Sequence, residues 1–258
     1  MTDVPPIRIR YRIRFAKLDL LRWIGHLDLA RLWERVIRRA SLRPSMTEGF
    51  HPKPRISFPT ALALGIESDD EIVEIDLAED VPPAEMLRRL VDDRQPGLVI
   101  HRVAKLPDGH PKARIEHTEY EILPPTDARG DDADRVDDAV AMLRDTDAVT
   151  LKRKKKEPTI SLAEQLLSVS SDAGRLQFSL AAVDGTSLRP DELLVIGGLD
   201  DFAARGAAIR RTAVVLHNEF HSDDPDAVAI RPASSDAAPS PPPPHAPKAA
   251  GSSMEKQS

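Results

Sequence analysis

"IRIRYRIRFAK", residues 7–17, is the stretch on which the fold turns. Ile7, Ile9, Tyr11, Ile13 and Phe15 fall in one phase, and Arg8, Arg10, Arg12 and Arg14 in the other. A period of two sends side chains to alternate faces of a strand, so the segment predicts one buried face and one arginine face. Four cations on one face repel unless acids or an anion lie opposite.

Downstream the period changes. In "GHLDLARLWERVIRRAS", residues 25–41, the helical spacing groups Leu29, Leu32, Trp33, Val36 and Ala40 into a core stripe. Arg31, Arg35, Arg38 and Arg39 lie mostly off it. Asp28 falls in the first turn, where the helix dipole favours an acid, and Glu34 precedes Arg38 by a supportive spacing. The helix is expected to end near Ser41. A proline-rich loop, "SMTEGFHPKPRISF" at 45–58, leads to a short strand around Arg55–Pro59. "EIVEIDL", 71–77, alternates again; Pro82 and Pro83 suit the first turn of a helix through about Asp92; "GLVIHRVAKL", 97–106, is a further strand. The order over residues 1–108 is βαββαβ, the ferredoxin-like plan of an antiparallel sheet with two helices on one face.

A looser ferredoxin-like copy is expected over residues 109–220, making the whole an α+β protein. Its strands are 114–122, near 149–154, 175–183 and 210–217; its helices are Asp131–Arg144 and the short "RPDELL", 189–194, with Pro at the first position. "ISLAEQLLSVS", 160–170, fits either a strand or a helical turn. Residues 221–258 hold 8 of the 23 prolines, much Ala and Ser, and no aromatic, a composition that predicts a disordered tail.

With no cysteine among its 258 residues, the chain has no disulfide, thiolate metal site or cysteine nucleophile, and no thiolates of its own for an iron–sulfur cluster. The first residues lack the apolar core of a signal peptide, and no stretch has the length and apolarity of a membrane span, so a cytoplasmic protein is expected. The net charge of −6 divides unevenly: residues 1–60 carry +8 and the remainder −14. Six of the ten aromatics share the basic segment. That combination suggests an anionic ligand, nucleic acid above all. The alternative is that basic and acidic surfaces of one protein neutralise each other.

"KLDLLRWIGHLDLARLWERVIRRA" followed by "TEGFHPKPRISF" resembles the radical SAM-linked proteins, a bacterial domain of unknown function. The matching residues are His26, Leu27 and Asp28; Gly49, Phe50, His51 and Pro52; Ser57 and Phe58; and later Ser187–Leu194. The resemblance runs over roughly residues 7–217. It implies a partner, a cobalamin-binding radical SAM protein encoded beside such chains or fused to them. It implies no established activity and no catalytic residues.

In the loop, Gly49 permits a positive φ, and Pro52 and Pro54 hold their predecessors extended. Lys53 and Arg55 can meet phosphate, and Phe50 or His51 can stack on a base; otherwise Phe50 plugs the core. With Arg31 and Arg35 of the helix, these residues form the candidate RNA- or ligand-binding surface. His26, Asp28 and His51 are the candidate catalytic group, against a reading in which His26 and Asp28 simply cap the helix. No metal and no cofactor is expected. "LKRKKKEP", 151–158, reads as a solvated hairpin edge rather than a phosphate patch, and Trp23 and Trp33 as core. Three functions remain: an accessory protein that binds rRNA or tRNA, a protein adaptor that leaves nucleic acid alone, and an RNA-processing enzyme. With no strong catalytic motif, the enzyme ranks last.

Overall fold

The structure, a computed structural model, describes residues 7–154 and 156–220. The segment 221–258, expected as a tail, lies outside the described residues.

Strand β1 (Ile9–Lys17) is central to the first half. It pairs antiparallel with β3 (Glu67–Leu77), setting Tyr11 opposite Ile75 and Ile13 opposite Val73, and with β4 (Leu98–Lys105) on its other side. The two-residue β2 (Ile56–Ser57) joins β3. Helices α1 (His26–Arg39) and α2 (Pro83–Asp92) cover one face. Tyr11, Ile13, Phe15, Val73, Ile75 and Leu77 pack there against Leu29, Leu32, Trp33, Val36, Ile37 and Met86. The alternation in β1 and the stripe on α1 thus meet in one core, with the Trp33 ring edge-on to Phe15 at 5.1 Å.

In the second half follow β5 (Ile115–Ile122), α3 (Asp132–Asp145), a small hairpin β6 (Ala148–Thr150) and β7 (Thr159–Ser161), α4 (Leu162–Gln165), β8 (Leu166–Asp172), β9 (Arg175–Ala181), α5 (Glu192–Ile196), α6 (Asp200–Ala204) and β10 (Ile209–Leu216). Tyr120, Ile122, Phe178 and Leu180 form its core with Val136, Leu143, Leu193 and Phe202. Both halves share one eight-stranded sheet, ordered β4-β1-β3-β10-β5-β9-β8 with β2 beside β3. All its pairings are antiparallel except β3 with β10, which touch only at Glu67 opposite Arg210 and Ser68 opposite Arg211. The architecture is α+β, with a large, mostly antiparallel sheet.

Three local expectations change. Residues 160–170 are strand end, helical turn and strand in succession, because the Ser161 hydroxyl accepts the Glu164 amide and starts a single turn before β8. The strand expected near 149–154 is only Ala148–Thr150 and pairs off the main sheet, with β7; β8 is what pairs with β9. The short helix expected from residue 189 begins at Glu192, leaving Pro190 outside it. The Glu192 carboxylate accepts both the Arg189 amide, at 2.9 Å, and the Arg153 guanidinium, at 2.7 Å. Arg153 is therefore drawn out of the expected solvated cation row.

Acids meet the arginine face. Asp70, Glu74 and Asp76 of β3 lie in the phase opposite to Val73, Ile75 and Leu77. Arg8 and Arg10 donate to Asp76 at 2.6 and 3.2 Å, Arg12 to Glu74 at 3.0 and 2.8 Å, and Arg14 to Asp70. The last described residues lie over this ladder. Arg12 donates to the Asn218 carbonyl at 2.8 Å, Arg14 to Glu219 at 2.5 Å and Arg102 to the Phe220 carbonyl at 3.0 Å.

Candidate functional site

The proline-rich loop is a tight hairpin. Thr47 N donates to the Lys53 carbonyl at 2.8 Å and Arg55 N to the Ser45 carbonyl at 2.9 Å. The Thr47 hydroxyl accepts the Lys53 amide at 2.9 Å. Two further bonds, Ser45 N to Asp76 O at 2.7 Å and Asp76 N to Arg55 O at 3.0 Å, fix its base to β3. Gly49 turns the tip with φ +114, which a side chain rarely tolerates. Phe50, next to it, is wholly exposed and plugs no core. His51 and Lys53 are exposed as well. Arg55 is partly drawn in, donating from Nε to the Met46 carbonyl at 3.0 Å and lying 3.9 Å from Glu48.

Beside α1 the surface is apolar. Leu20 and Trp23, on a 3-10 turn at Asp19–Trp23, and Leu27, in the first turn of α1, are exposed. Trp23, expected in the core, is 60% exposed; its ring packs against Gly65, where a Cβ would stand 3.1 Å from it. The Arg22 guanidinium lies 5.3 Å from the Trp23 ring centroid. His26 stacks edge-on to Phe58 at 5.3 Å.

Of the thirteen cations in residues 1–60, nine have an acidic partner. These are the four ladder arginines, then Arg22 with Glu67, Arg31 with Asp28, Arg39 with Asp93, Arg43 with Glu79 and Arg55 with Glu48. Lys17 is buried, donating to the Ile24 carbonyl at 3.2 Å. Arg35, Arg38 and Lys53 have no ion-pair partner among the described residues. The basic segment is therefore largely neutralised by acids from the rest of the chain.

No bond links the candidate catalytic residues among the described residues. Gly25, not His26, is the cap residue of α1. Asp28 is held by Arg31 at 3.2 Å. No hydrogen bond or ion pair among the described residues joins His51 to either, and no three His, Asp or Glu side chains there form a group able to hold a metal.

The sequence reading missed a cleft of about 500 Å³ where the halves meet. Residues 59–63 form one wall and residues 181–191 the other, over a floor of Thr118, Tyr120 and Arg211. Arg211 is 3% exposed. It donates to Glu71 at 2.8 Å, twice to the Tyr120 hydroxyl, at 3.0 and 2.8 Å, and to the Ala61 carbonyl at 3.3 Å. Burial pushes the Glu71 carboxyl up, against the pull of Arg211, and pushes the Lys17 ammonium down, against the pull of Glu71. One signal was present: Glu71 falls in the same phase of β3 as Val73, Ile75 and Leu77, an acid on the buried face.

No helix among the described residues is long and apolar enough to cross a membrane. No curated protein matches the chain. Among solved structures, the chain is similar to an unknown protein from Galdieria sulphuraria, at 11% identity over 81% of this chain and 99% of that one, with a TM-score of 0.23. From an arginine of the ladder to the proline on the cleft wall, residues 10–190 match the bacterial family described as an uncharacterized protein conserved in bacteria (DUF2344), and the chain belongs to that family.

Proposed function

We propose that this chain is a docking protein that binds another protein through its exposed apolar groups, Phe50 on the hairpin and the residues at the start of α1. One observation carries the reading: Phe50 stands wholly exposed on a hairpin braced by backbone hydrogen bonds and two prolines. Exposed aromatics on rigid backbone act as interface anchors, because little ordering entropy remains to be lost on binding. Leu20, Trp23 and Leu27 supply a second apolar group of the kind that a folded surface hides against a partner. The resemblance to radical SAM-linked proteins names the partner, a cobalamin-binding radical SAM protein. A chain without cysteines has no thiolates for the cluster of such an enzyme, so that chemistry falls to the partner.

We also take each half as ferredoxin-like, since β4-β1-β3-β2 and β10-β5-β9-β8 both follow the order fourth, first, third, second. Such sheets occur in RNA-binding proteins, but that is analogy of fold. With three cations of the basic segment unpaired among the described residues, few phosphates would be neutralised, and affinity for RNA would be low.

Calorimetric titration of the purified cobalamin-binding radical SAM protein into this chain tests the proposal. Wild type is expected to bind, and Phe50→Ala and Trp23→Ala each to weaken binding about tenfold or more at unchanged stability. No binding by wild type would refute the docking reading. If wild type instead retains RNA with a salt dependence that Ala at Arg35, Arg38 and Lys53 flattens, the RNA-binding accessory role replaces it.

A further inference from the structure

We infer that the cleft between the two halves is a binding site for a small molecule with an apolar body and a single carboxylate or similar anionic head. The cleft is lined by residues other than those proposed for docking.

The shape comes from the shared sheet. Ile66 ahead of β3, Arg211 of β10, Thr118 and Tyr120 of β5 and Leu180 of β9 cross the floor strand by strand. The walls are mostly apolar: Pro59, Ala61, Leu62 and Ala63 on one side, Ala181 to Val183 and Leu188 on the other. Apolar walls above a few convergent polar groups are what small-molecule sites present. At about 500 Å³ the cavity has the volume such sites need.

The head group is set by the floor. Arg211 is the charged side chain there, and its partners are unequal. The bonds to Glu71 and Tyr120 are 2.8 to 3.0 Å, whereas the contact from Nη2 to the Ala61 carbonyl is 3.3 Å. Ala61 lies in the irregular segment between β2 and β3, on the cleft wall, so its carbonyl occupies the position an incoming oxygen would take. Exchanging that neutral acceptor for a carboxylate adds ionic attraction to the hydrogen bond and allows a shorter, two-pronged contact. The surrounding charge favours an anion too. Arg211 pairs with Glu71 at 2.8 Å, and Glu71 also attracts the buried Lys17, so no acid on the floor is left free to repel an anion. Arg189 and Asp191 carry opposite charges at the mouth and select neither sign. A cationic head would meet Arg211 directly and is excluded.

Fluorescence titration of the full-length chain with 1-anilinonaphthalene-8-sulfonate, an apolar anion that brightens out of water, tests the inference. The probe is expected to bind and to be displaced by octanoate at a concentration about tenfold or more below that needed of octylamine, the ratio one hydrogen bond to a charged group supplies. Ala63→Trp and Ala182→Trp fill the cleft from opposite walls at exposed positions, leaving the buried charges alone. Each is expected to weaken the octanoate-displaceable binding about tenfold while the melting temperature holds. Equal displacement by octanoate and octylamine would overturn the anionic head group. Displaceable binding that survives both tryptophan substitutions would overturn the site, placing the probe on the apolar surface around Trp23 instead.

Discussion

Arg12 and Glu74 are among the most deeply buried charges in the molecule, with side chains 2% and 3% exposed. A buried pair of this kind contributes little over an apolar pair of similar volume, but removing one member strands the other in a low dielectric. Arg12→Met is therefore expected to cost about 3–5 kcal/mol in denaturant unfolding. Adding Glu74→Leu should recover part of that loss only. The Glu74 carboxylate also accepts the Ala113 amide at 3.0 Å, and leaving that donor unpaired costs about 1–3 kcal/mol. A double variant no better than Arg12→Met would show that the pair is not the source of the loss. Phe50 gives the opposite case. Its side chain touches solvent on all sides, so Phe50→Ala should change unfolding free energy by less than about 0.5 kcal/mol.

Among elements, α3 is held at its N-terminus by charge more than by an apolar stripe. Asp132 accepts Arg205 at 2.7 and 2.9 Å and the Arg129 amide at 2.7 Å, and Arg135 grips Asp201 at 2.6 Å. The Arg205 hydrogen bonds foremost hold the Asp132 carboxyl at about 2, below its ordinary 3.8. A depressed carboxyl stabilises the fold above its unfolded value, and that stability is lost as pH falls from 3.8 through about 2. Asp132→Asn should flatten the acid limb of stability against pH by about one proton in that window. An unchanged slope, read from unfolding curves at stepped pH, would refute this. Legibility in sequence also varies by element. β1 and α1 could be read because one period persists through each and one face is wholly buried. β8 could not: Leu166, Leu167 and Val169 alternate weakly among serines, and the Ser161 cap interrupts them with a helical turn. The hairpin was readable as stiff from its prolines, but whether Phe50 points inward depends on β3, which no local pattern encodes. The ladder arginines announced a need for acids without naming them, since their partners on β3 lie more than 50 residues away.

Across the whole molecule, the first and last described strands are tied by side chains as well as by the sheet. Residues 217–220 place two carbonyls and one carboxylate against Arg12, Arg14 and Arg102. A chain ending at residue 216 is expected to melt several degrees below one ending at residue 220, because each buried donor left without its acceptor costs about 1–3 kcal/mol and each kcal/mol moves the midpoint of a chain this size by about 2–4 °C. Equal midpoints in calorimetry would mean that water replaces these residues without loss.

The position of β10 has a consequence in time. It is the last of the described strands to leave the ribosome, yet it belongs in the interior of the sheet, between β3 and β5. Roughly 130 residues separate the end of β3 from the start of β10, which at ordinary rates of synthesis is a delay on the order of ten seconds. For that interval the first half of the nascent chain holds its hydrophobic core while one border of β3, beyond the short cover of β2, has nothing to pair with. A ribosome that stalls before residue 209 would therefore release a folded fragment with an adhesive margin, and nascent chains of this protein should recruit chaperones until the final strand slides into place.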